Sequence, residues 1–209
     1  MMKIVFATSN KGKLREAAGI LGPEFELLCP ADLGILEDIE ETGSTLEENS
    51  LIKARFIYEK TGLNCFADDT GLEVDALSCA PGIHSARFAS DVARRDGDLE
   101  RAAAVDHDFA ANIDALLSEL EKCSGEPRTA RFRSVVTLIL DGEIHTFVGK
   151  MEGRIAEQRA GTNGFGYDPV FIADEWPGKC IAEGPDEVKN AISHRGKALR
   201  EMAAWLKSR

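Results

Sequence analysis

A chain of 209 residues with 44% apolar and 29% charged content can bury a full hydrophobic core and fits one large domain or two lobes. Its formal net charge of -11 excludes a broad nucleic-acid surface, which needs clustered Lys and Arg, so an anionic ligand has to be held by a few placed cations or a metal. No apolar run reaches the roughly 18 residues of a membrane span, and the N-terminal run from Met1 to Phe6 turns polar too soon for a signal peptide. The five cysteines, odd in number and without a CxxC pair, suggest neither a disulfide framework nor a zinc site, and a reducing cytoplasm is the expected location.

Lys3 to Ala7 reads as a short apolar strand, Thr8-Ser9-Asn10-Lys11-Gly12 as a loop, and Lys13 to Leu21 as an amphipathic helix with Leu14, Ala17, Ala18 and Leu21 on one face. Backbone N–H groups and the positive end of the helix dipole meet at that loop, where Ser9, Asn10, Lys11 and Lys13 add donors and charge. The setting suits phosphate, although the GxxxxGK[ST] spacing of a P-loop is absent. After an apolar piece at Phe25 to Cys29, the acidic run Glu37-Asp38-Ile39-Glu40-Glu41 leads to Ser44, which with Glu47 has the form of a capping box and predicts a helix to about Lys60. Asn49 and Lys53 stand four apart on one face of that helix. One Glu of the acidic run beside Asp69 would make the hard oxygen site that Mg²⁺ prefers.

Asp69 lies in Phe66 to Leu77, FADDTGLEVDAL. Asn64 to Ala67 reads as a buried strand, Leu72, Val74 and Ala76 alternate with Glu73 and Asp75 as a half-buried one, and Asp68 and Asp69 fall at the predicted break between the two. Neighbouring strand residues point to opposite sides, so one Asp is expected to face a ligand and the other to brace the turn. Pro81 to Phe88 is a loop with Arg87 in apolar company, and 90 to 108 is charged, Ala-rich and without a clear signal. Asn112 to Leu120 is a packing helix. Thr129 to Leu140 and Glu143 to Val148, separated by Asp141-Gly142, form the clearest hairpin of the chain, with a further strand at Gly153 to Ala156. In Gly164-Phe165-Gly166-Tyr167-Asp168-Pro169 the glycines admit close approach of a ligand, Phe165 or Tyr167 could stack on a purine and Asp168 could brace ribose or base. Lys189 to Leu206 ends in a helix that starts or restarts at Ser193-His194-Arg195-Gly196.

In this order, TSNKGK at 8 to 13, EETGSTLEEN with Lys53, FADDTGLEVDAL, PGIHSARF, GFGYDPVF and KNAISHRGKAL strongly resemble the inosine triphosphate pyrophosphatase family, over residues 3 to 206. The resemblance implies an elongated α/β fold in which a central mixed β-sheet is flanked by helices, a single domain over 1–209 with two lobes around a cleft, and a homodimer. It implies Mg²⁺-dependent hydrolysis of ITP, dITP and XTP to the monophosphate and pyrophosphate. Asp69 is then the catalytic carboxylate and a metal ligand, Glu40 a second ligand, and Thr8, Ser9, Asn10, Lys11, Gly12 and Lys13 the phosphate loop. Lys53, Thr70, Phe165, Gly166, Tyr167, Asp168, Lys189, His194 and Arg195 map onto substrate-binding positions. The chain departs from the family's pattern at Thr70, where bacterial members mostly have Ser, at Gln158-Arg159-Ala160 in place of Pro-Arg-Gly, and at Ser90 in place of Gly. The charged stretch from 91 to 108 reads as a surface insertion.

On this reading Lys13, Lys53 and Lys189 hold the triphosphate against the protein's negative field. Arg195, a donor with no acceptor, pairs with O6 of hypoxanthine or xanthine but not with the amino group of adenine. Spacing leaves open whether Asp69, Asp68 or Glu41 takes the proton of the attacking water. Two other classes compete. A haloacid-dehalogenase-like phosphomonoesterase would release orthophosphate and wants DxDx[TV] near the N-terminus. A nucleotide sensor would keep the binding loops without needing Asp69.

Overall fold

The structure, a computed structural model, describes residues 2–123 and 125–209; Met1 and Ser124 lie outside the described residues. The elements follow in the order β1 Met2–Phe6, α1 Lys11–Leu21, β2 Phe25–Leu28, α2 Leu46–Thr61, β3 Cys65–Val74, β4 Pro81–Gly82, α3 Phe88–Arg95, α4 Leu99–Ala104, α5 Phe109–Lys122, β5 Thr129–Leu140, β6 Glu143–Ile155, β7 Phe171–Ala173, α6 Asp186–Ile192 and α7 His194–Lys207. One 7-stranded sheet has the order β2-β1-β3-β5-β6-β7, with β4 on β3. β1 runs parallel to β2 and β3, while β4 on β3 and β7 on β6 are antiparallel, so the sheet is mixed, as expected. No described helix is long and apolar enough to cross a membrane.

The chain divides into two compact units: Met1–Asp69, Ser134–Lys150 and His194–Arg209 form the first, Thr70–Arg133 and Met151–Ser193 the second. In the first, the inner strands are buried on both faces, and the alternation of strand side chains sorts their residues into two cores. Ile4, Phe6, Phe66, Val136 and Leu138 pack with Ala17 and Leu21 of α1 and with Ala198, Leu199 and Met202 of α7. Val5, Ala7, Cys65, Ala67 and Ile139 pack with Ala54 and Ile57 of α2. In the second, α3 and α5 bury Phe88, Ala89, Ile113, Leu116 and Leu120 against Phe132, Met151, Ile155 and Phe171 of the strands.

Four expectations shift. The break predicted at Asp68-Asp69 is absent: β3 runs unbroken from Cys65 to Val74. Gly71 within that strand allows β4 to come close, since a Cβ there would lie 2.4 Å from the carbonyl oxygen of Gly82. The strand expected at Gly153 to Ala156 is the far end of β6, which continues to Ile155. The capping pair moves by one residue: Thr45 caps α2 by accepting from Glu48 N, and the Glu48 carboxylate accepts from Ser44 N and Oγ. Finally, the stretch 91–108, which gave no clear signal, is mostly exposed and holds most of α3 and all of α4, joined by the buried Ser90, whose Oγ donates to Ala102 O at 2.9 Å. The hairpin is as expected, with positive φ at both Asp141 (51°) and Gly142 (86°), the pair of conformations that a tight two-residue turn requires.

Gly149 fixes how α7 lies on β6. A Cβ there would sit 1.9 Å from His194 O and 2.7 Å from Ala198 N, so the first turn of the helix touches bare strand backbone. Gly149→Ala is expected to cost about 1–3 kcal/mol or more, the scale of overpacking a filled site. Gly19, exposed within α1 and with nothing inside 4 Å of its would-be Cβ, is the matched control. Gly19→Ala should gain about 0.5–1 kcal/mol. Urea unfolding of both variants checks the pair; equal midpoints would contradict the close approach at Gly149.

Candidate active site

The loop after β1 turns into α1 under an Asn cap. Asn10 Oδ1 accepts from Gly12 N at 2.8 Å and Lys13 N at 3.2 Å, and Thr8 Oγ1 accepts from Asn10 N at 3.2 Å. The helix therefore opens at Lys11, two positions before the expected start at Lys13. Internal bonds occupy the amides of Asn10, Gly12 and Lys13, which the sequence reading had left for an anion, while Ser9, Asn10, Lys11 and Gly12 are exposed.

One helical turn in, Lys13 sends its ammonium to both oxygens of Asp68, at 2.9 and 3.0 Å. Arg195, at the start of α7, donates from Nε to Asp68 Oδ2 at 2.8 Å and from Nη1 to Glu16 Oε2 at 3.2 Å. Asp68 and Arg195 are 2% and 8% exposed, so this is an interior ionic cluster. Burial alone would raise the Asp68 carboxyl; the charges of Lys13, Arg195 and Lys53 outweigh it and hold the group far below the usual carboxylate range. The sequence reading gave the Arg195 guanidinium to O6 of a base. The structure gives two of its donors to carboxylates of the first unit. Glu16 was missed, although its place three residues after Lys13 on α1 puts the two on one helix face.

The next residue of β3 faces the other way. Asp69 Oδ1 accepts from Lys53 Nζ at 2.9 Å, and the same ammonium donates to Glu41 Oε1 at 2.8 Å. Lys53 and Asn49 share a buried face of α2, as expected. Asn49 Oδ1 accepts from Gly43 N at 2.8 Å and so pins the acidic segment to the helix. Glu40, the second metal ligand implied by the resemblance, is exposed; its neighbour Glu41 is the carboxylate that reaches Lys53. Burial raises the Asp69 carboxyl above its ordinary range, Lys53 opposes this, and the negative charges of Glu41 and Asp68 add to it. Asp68 thus shares two cations, whereas Asp69 and Glu41 share one. Both carboxylates are hard oxygen donors available to a cation. A cavity of about 320 Å³ is lined by Thr8, Ser9, Lys13, Glu41, Lys53 and Asp68, with Pro30, Ile35 and Ile39 as an apolar wall.

The remaining candidates except His194 belong to the second unit. Thr70 follows Asp69 on β3 and is half-buried. Tyr167 is buried and its hydroxyl donates to Ser85 O at 2.9 Å, so it is a core residue and Phe165, 57% exposed, is the aromatic left for a base. Asp168 accepts from Phe165 N at 2.9 Å and pairs with Lys189, whose ammonium stands 4.0 Å from the Phe165 ring centroid. The sequence reading grouped Lys189 with Lys13 and Lys53; its partners are Asp168 and Phe165. Gly166, with φ of 61°, supplies the left-handed turn between the ring and Asp168. His194, buried at the head of α7, belongs to the first unit.

The opposite surroundings of the two aspartates give a matched test. Asp68→Asn leaves the buried Arg195 and the half-buried Lys13 short of their anion and should cost about 3–5 kcal/mol at pH 7. Because the folded pKa of Asp68 is depressed, this stabilisation is present above the ordinary value of 3.8 and lost only as pH falls through the lower folded value. For Asp69 the sign reverses: wild type should lose stability relative to Asp69→Asn as pH rises from 3.8 through the higher folded value. Denaturant unfolding of both variants between acid and neutral pH reads the two slopes. Slopes of the same sign would contradict the assignment.

A sequence profile described as the Ham1 family matches residues 4–205. A dITP/XTP pyrophosphatase of Christiangramia forsetii is 44% identical over 205 residues, covering 98% of this chain and 99% of the other. A protein of the same name from Geobacter sulfurreducens is 46% identical over 201 residues, covering 95% and 94%. The structure of a Ham1 protein from Coxiella burnetii superimposes with a TM-score of 0.87 at 37% identity over 100% of both chains. With its sheet, its Asp68-Asp69 strand and these full-length similarities, the chain belongs to the Ham1 family.

Proposed function

We propose that the protein hydrolyses noncanonical purine nucleoside triphosphates, dITP and XTP and with them ITP, to the monophosphate and pyrophosphate, using Mg²⁺, as a cytoplasmic homodimer. The names of the relatives point to the substrates. The observation that carries the chemistry is the pair of carboxylates, Asp69 and Glu41, on the single ammonium of Lys53 beside a cavity that Lys13 also lines. The dimer and the dependence on Mg²⁺ come from the family resemblance. Cys29, Cys65, Cys79, Cys123 and Cys180 are all free thiols, which suits a reducing compartment.

The donor set fits Mg²⁺. Two carboxylates against one cation leave a local excess of negative charge, and Mg²⁺ takes few protein carboxylates while keeping waters for phosphate to replace. Held by Asp69 with Glu41 or Glu40, it would neutralise phosphate oxygens and the pyrophosphate leaving group.

The chain's own residues supply the rest. Lys13 and Lys53 bring positive charge to the cavity from helix positions already fixed by Asp68 and Asp69, so little reorganisation is needed when a triphosphate enters. Water attacks the α-phosphorus, the α–β bridging oxygen leaves with pyrophosphate, and a carboxylate takes the water's proton. Asp68 is a poor acceptor, since both its oxygens are engaged and its pKa is depressed. That leaves Asp69 and Glu41, which share the single Lys53 ammonium, as the acceptors, through an oxygen not engaged by a cation. In the second unit Phe165, braced by Asp168 and Lys189, offers a ring for the base.

With dITP or XTP and Mg²⁺ the product is expected to be pyrophosphate; release of orthophosphate would favour the phosphomonoesterase reading. Chelation by EDTA should abolish turnover and added Mg²⁺ restore it. Asp69→Asn should lower kcat by at least about a hundredfold, the scale of losing a general base or a key electrostatic group, while remaining folded by circular dichroism. Near-parental turnover of that variant at saturating Mg²⁺ would remove Asp69 from the chemistry, and binding of dITP by the parent without any turnover would favour the sensor reading.

A further inference from the structure

Phe109 and Phe165 are large aromatic side chains left in water, 51% and 57% exposed, and neither is part of the unit's hydrophobic core. Their ring centroids lie 6.4 Å apart with planes tilted by 45°. A single exposed aromatic is ordinary, but a neighbouring pair at this spacing is suited to a flat ligand. Stacked bases repeat every ~3.4 Å, so a base held between two rings needs about 6.8 Å.

Both rings stand on anchored backbone. Phe109 is the first residue of α5, whose opening turn is capped by Asp108 Oδ1, accepting from Ala110 N at 2.8 Å and Ala111 N at 3.0 Å. Arg159 ties that turn down by donating to Ala110 O at 2.6 Å and Asp114 Oδ1 at 2.7 Å. Arg159 is the residue that Gln158-Arg159-Ala160 keeps in common with the Pro-Arg-Gly of the family's pattern. Phe165 is held through its amide by Asp168, and Lys189 covers its ring.

We propose that Phe109 and Phe165 form a two-ring clamp for the purine base, with Phe109 a base-contacting residue that sets affinity for flat bicyclic bases. The clamp rests on the reading of Phe165 as the base site given under Proposed function. Its second ring comes from α5, outside every motif that carries the family resemblance.

The test measures KM and kcat for dITP with Phe109→Ala, Phe109→Tyr and Phe165→Ala, together with inhibition by inorganic tripolyphosphate, which has no base. Phe109→Ala is expected to raise KM roughly five- to a hundredfold, the range for one lost base–aromatic stack. Its kcat and the tripolyphosphate inhibition constant should stay near parental, and Phe109→Tyr should restore KM. A parental KM for Phe109→Ala with a raised KM for Phe165→Ala overturns the clamp and leaves the base site standing. Parental KM for both overturns the base-site reading as well. Equal weakening of tripolyphosphate inhibition in Phe109→Ala marks a structural role and overturns the clamp.

Discussion

Consecutive side chains leave a β-strand on opposite faces, and in β3 this geometric rule acts on two carboxylates in a row. Asp68 enters the core under α1 and α7, while Asp69 enters the core under α2. Each then meets the cations its face provides. Asp68 finds Lys13 and Arg195, which hold it ionised; Asp69 must share Lys53 with Glu41, and burial pushes its carboxyl up. Two chemically identical groups one residue apart thereby acquire opposite pKa shifts, set chiefly by the charges around each.

A buried ionic cluster is a poor source of net stability, because desolvation consumes most of the attraction, and a well-packed apolar replacement often does as well. The place of the Asp68 cluster is better explained by what it positions. It joins three segments distant in sequence, with α1 brought in by Lys13, α7 by Arg195 and β3 by Asp68 itself, and it holds the Lys13 ammonium at a cavity wall. The apolar cores on the same face, built from Phe6, Phe66, Leu138 and Leu199, exclude water from it. Packing and electrostatics are therefore not separable here: the cores supply the low dielectric in which the ion pairs act, and the ion pairs set the register of the helices that close the cores.

Much of the fold was legible in local pattern. The strand–loop–helix at the N-terminus, the hairpin around Asp141-Gly142 and the restart of the last helix at His194 follow from periodicity and turn chemistry. Asp-Asp-Thr-Gly misled because turn propensity is a local average, whereas the two carboxylates are kept in a strand by Lys13, Arg195 and Lys53, and Gly71 by the approach of Gly82. The residue types of the site were also legible, since Lys53, Asp69 and the acidic segment before α2 all converge. What pattern could not supply was pairing. That Glu41 rather than Glu40 meets Lys53, that Arg195 is taken by Asp68 and Glu16, and that Tyr167 turns inward while Phe165 turns outward depend on loop geometry and on contacts across 82 to 179 residues.

The Asp68 cluster also has a direction in time. Lys13 and Asp68 are 55 residues apart, but Arg195 follows Asp68 by 127 residues. At synthesis rates of about 5–20 residues per second, that gap lasts on the order of 6–25 s. During this interval the strand core and α1 can assemble on the ribosome with Asp68 paired to Lys13 alone, and without the apolar cover that α7 provides. The nascent chain is thus electrostatically unfinished and open to water at the Asp68 anchor beside the cavity that Lys13 lines, and only the arrival of α7, seated on the bare backbone of Gly149, seals it.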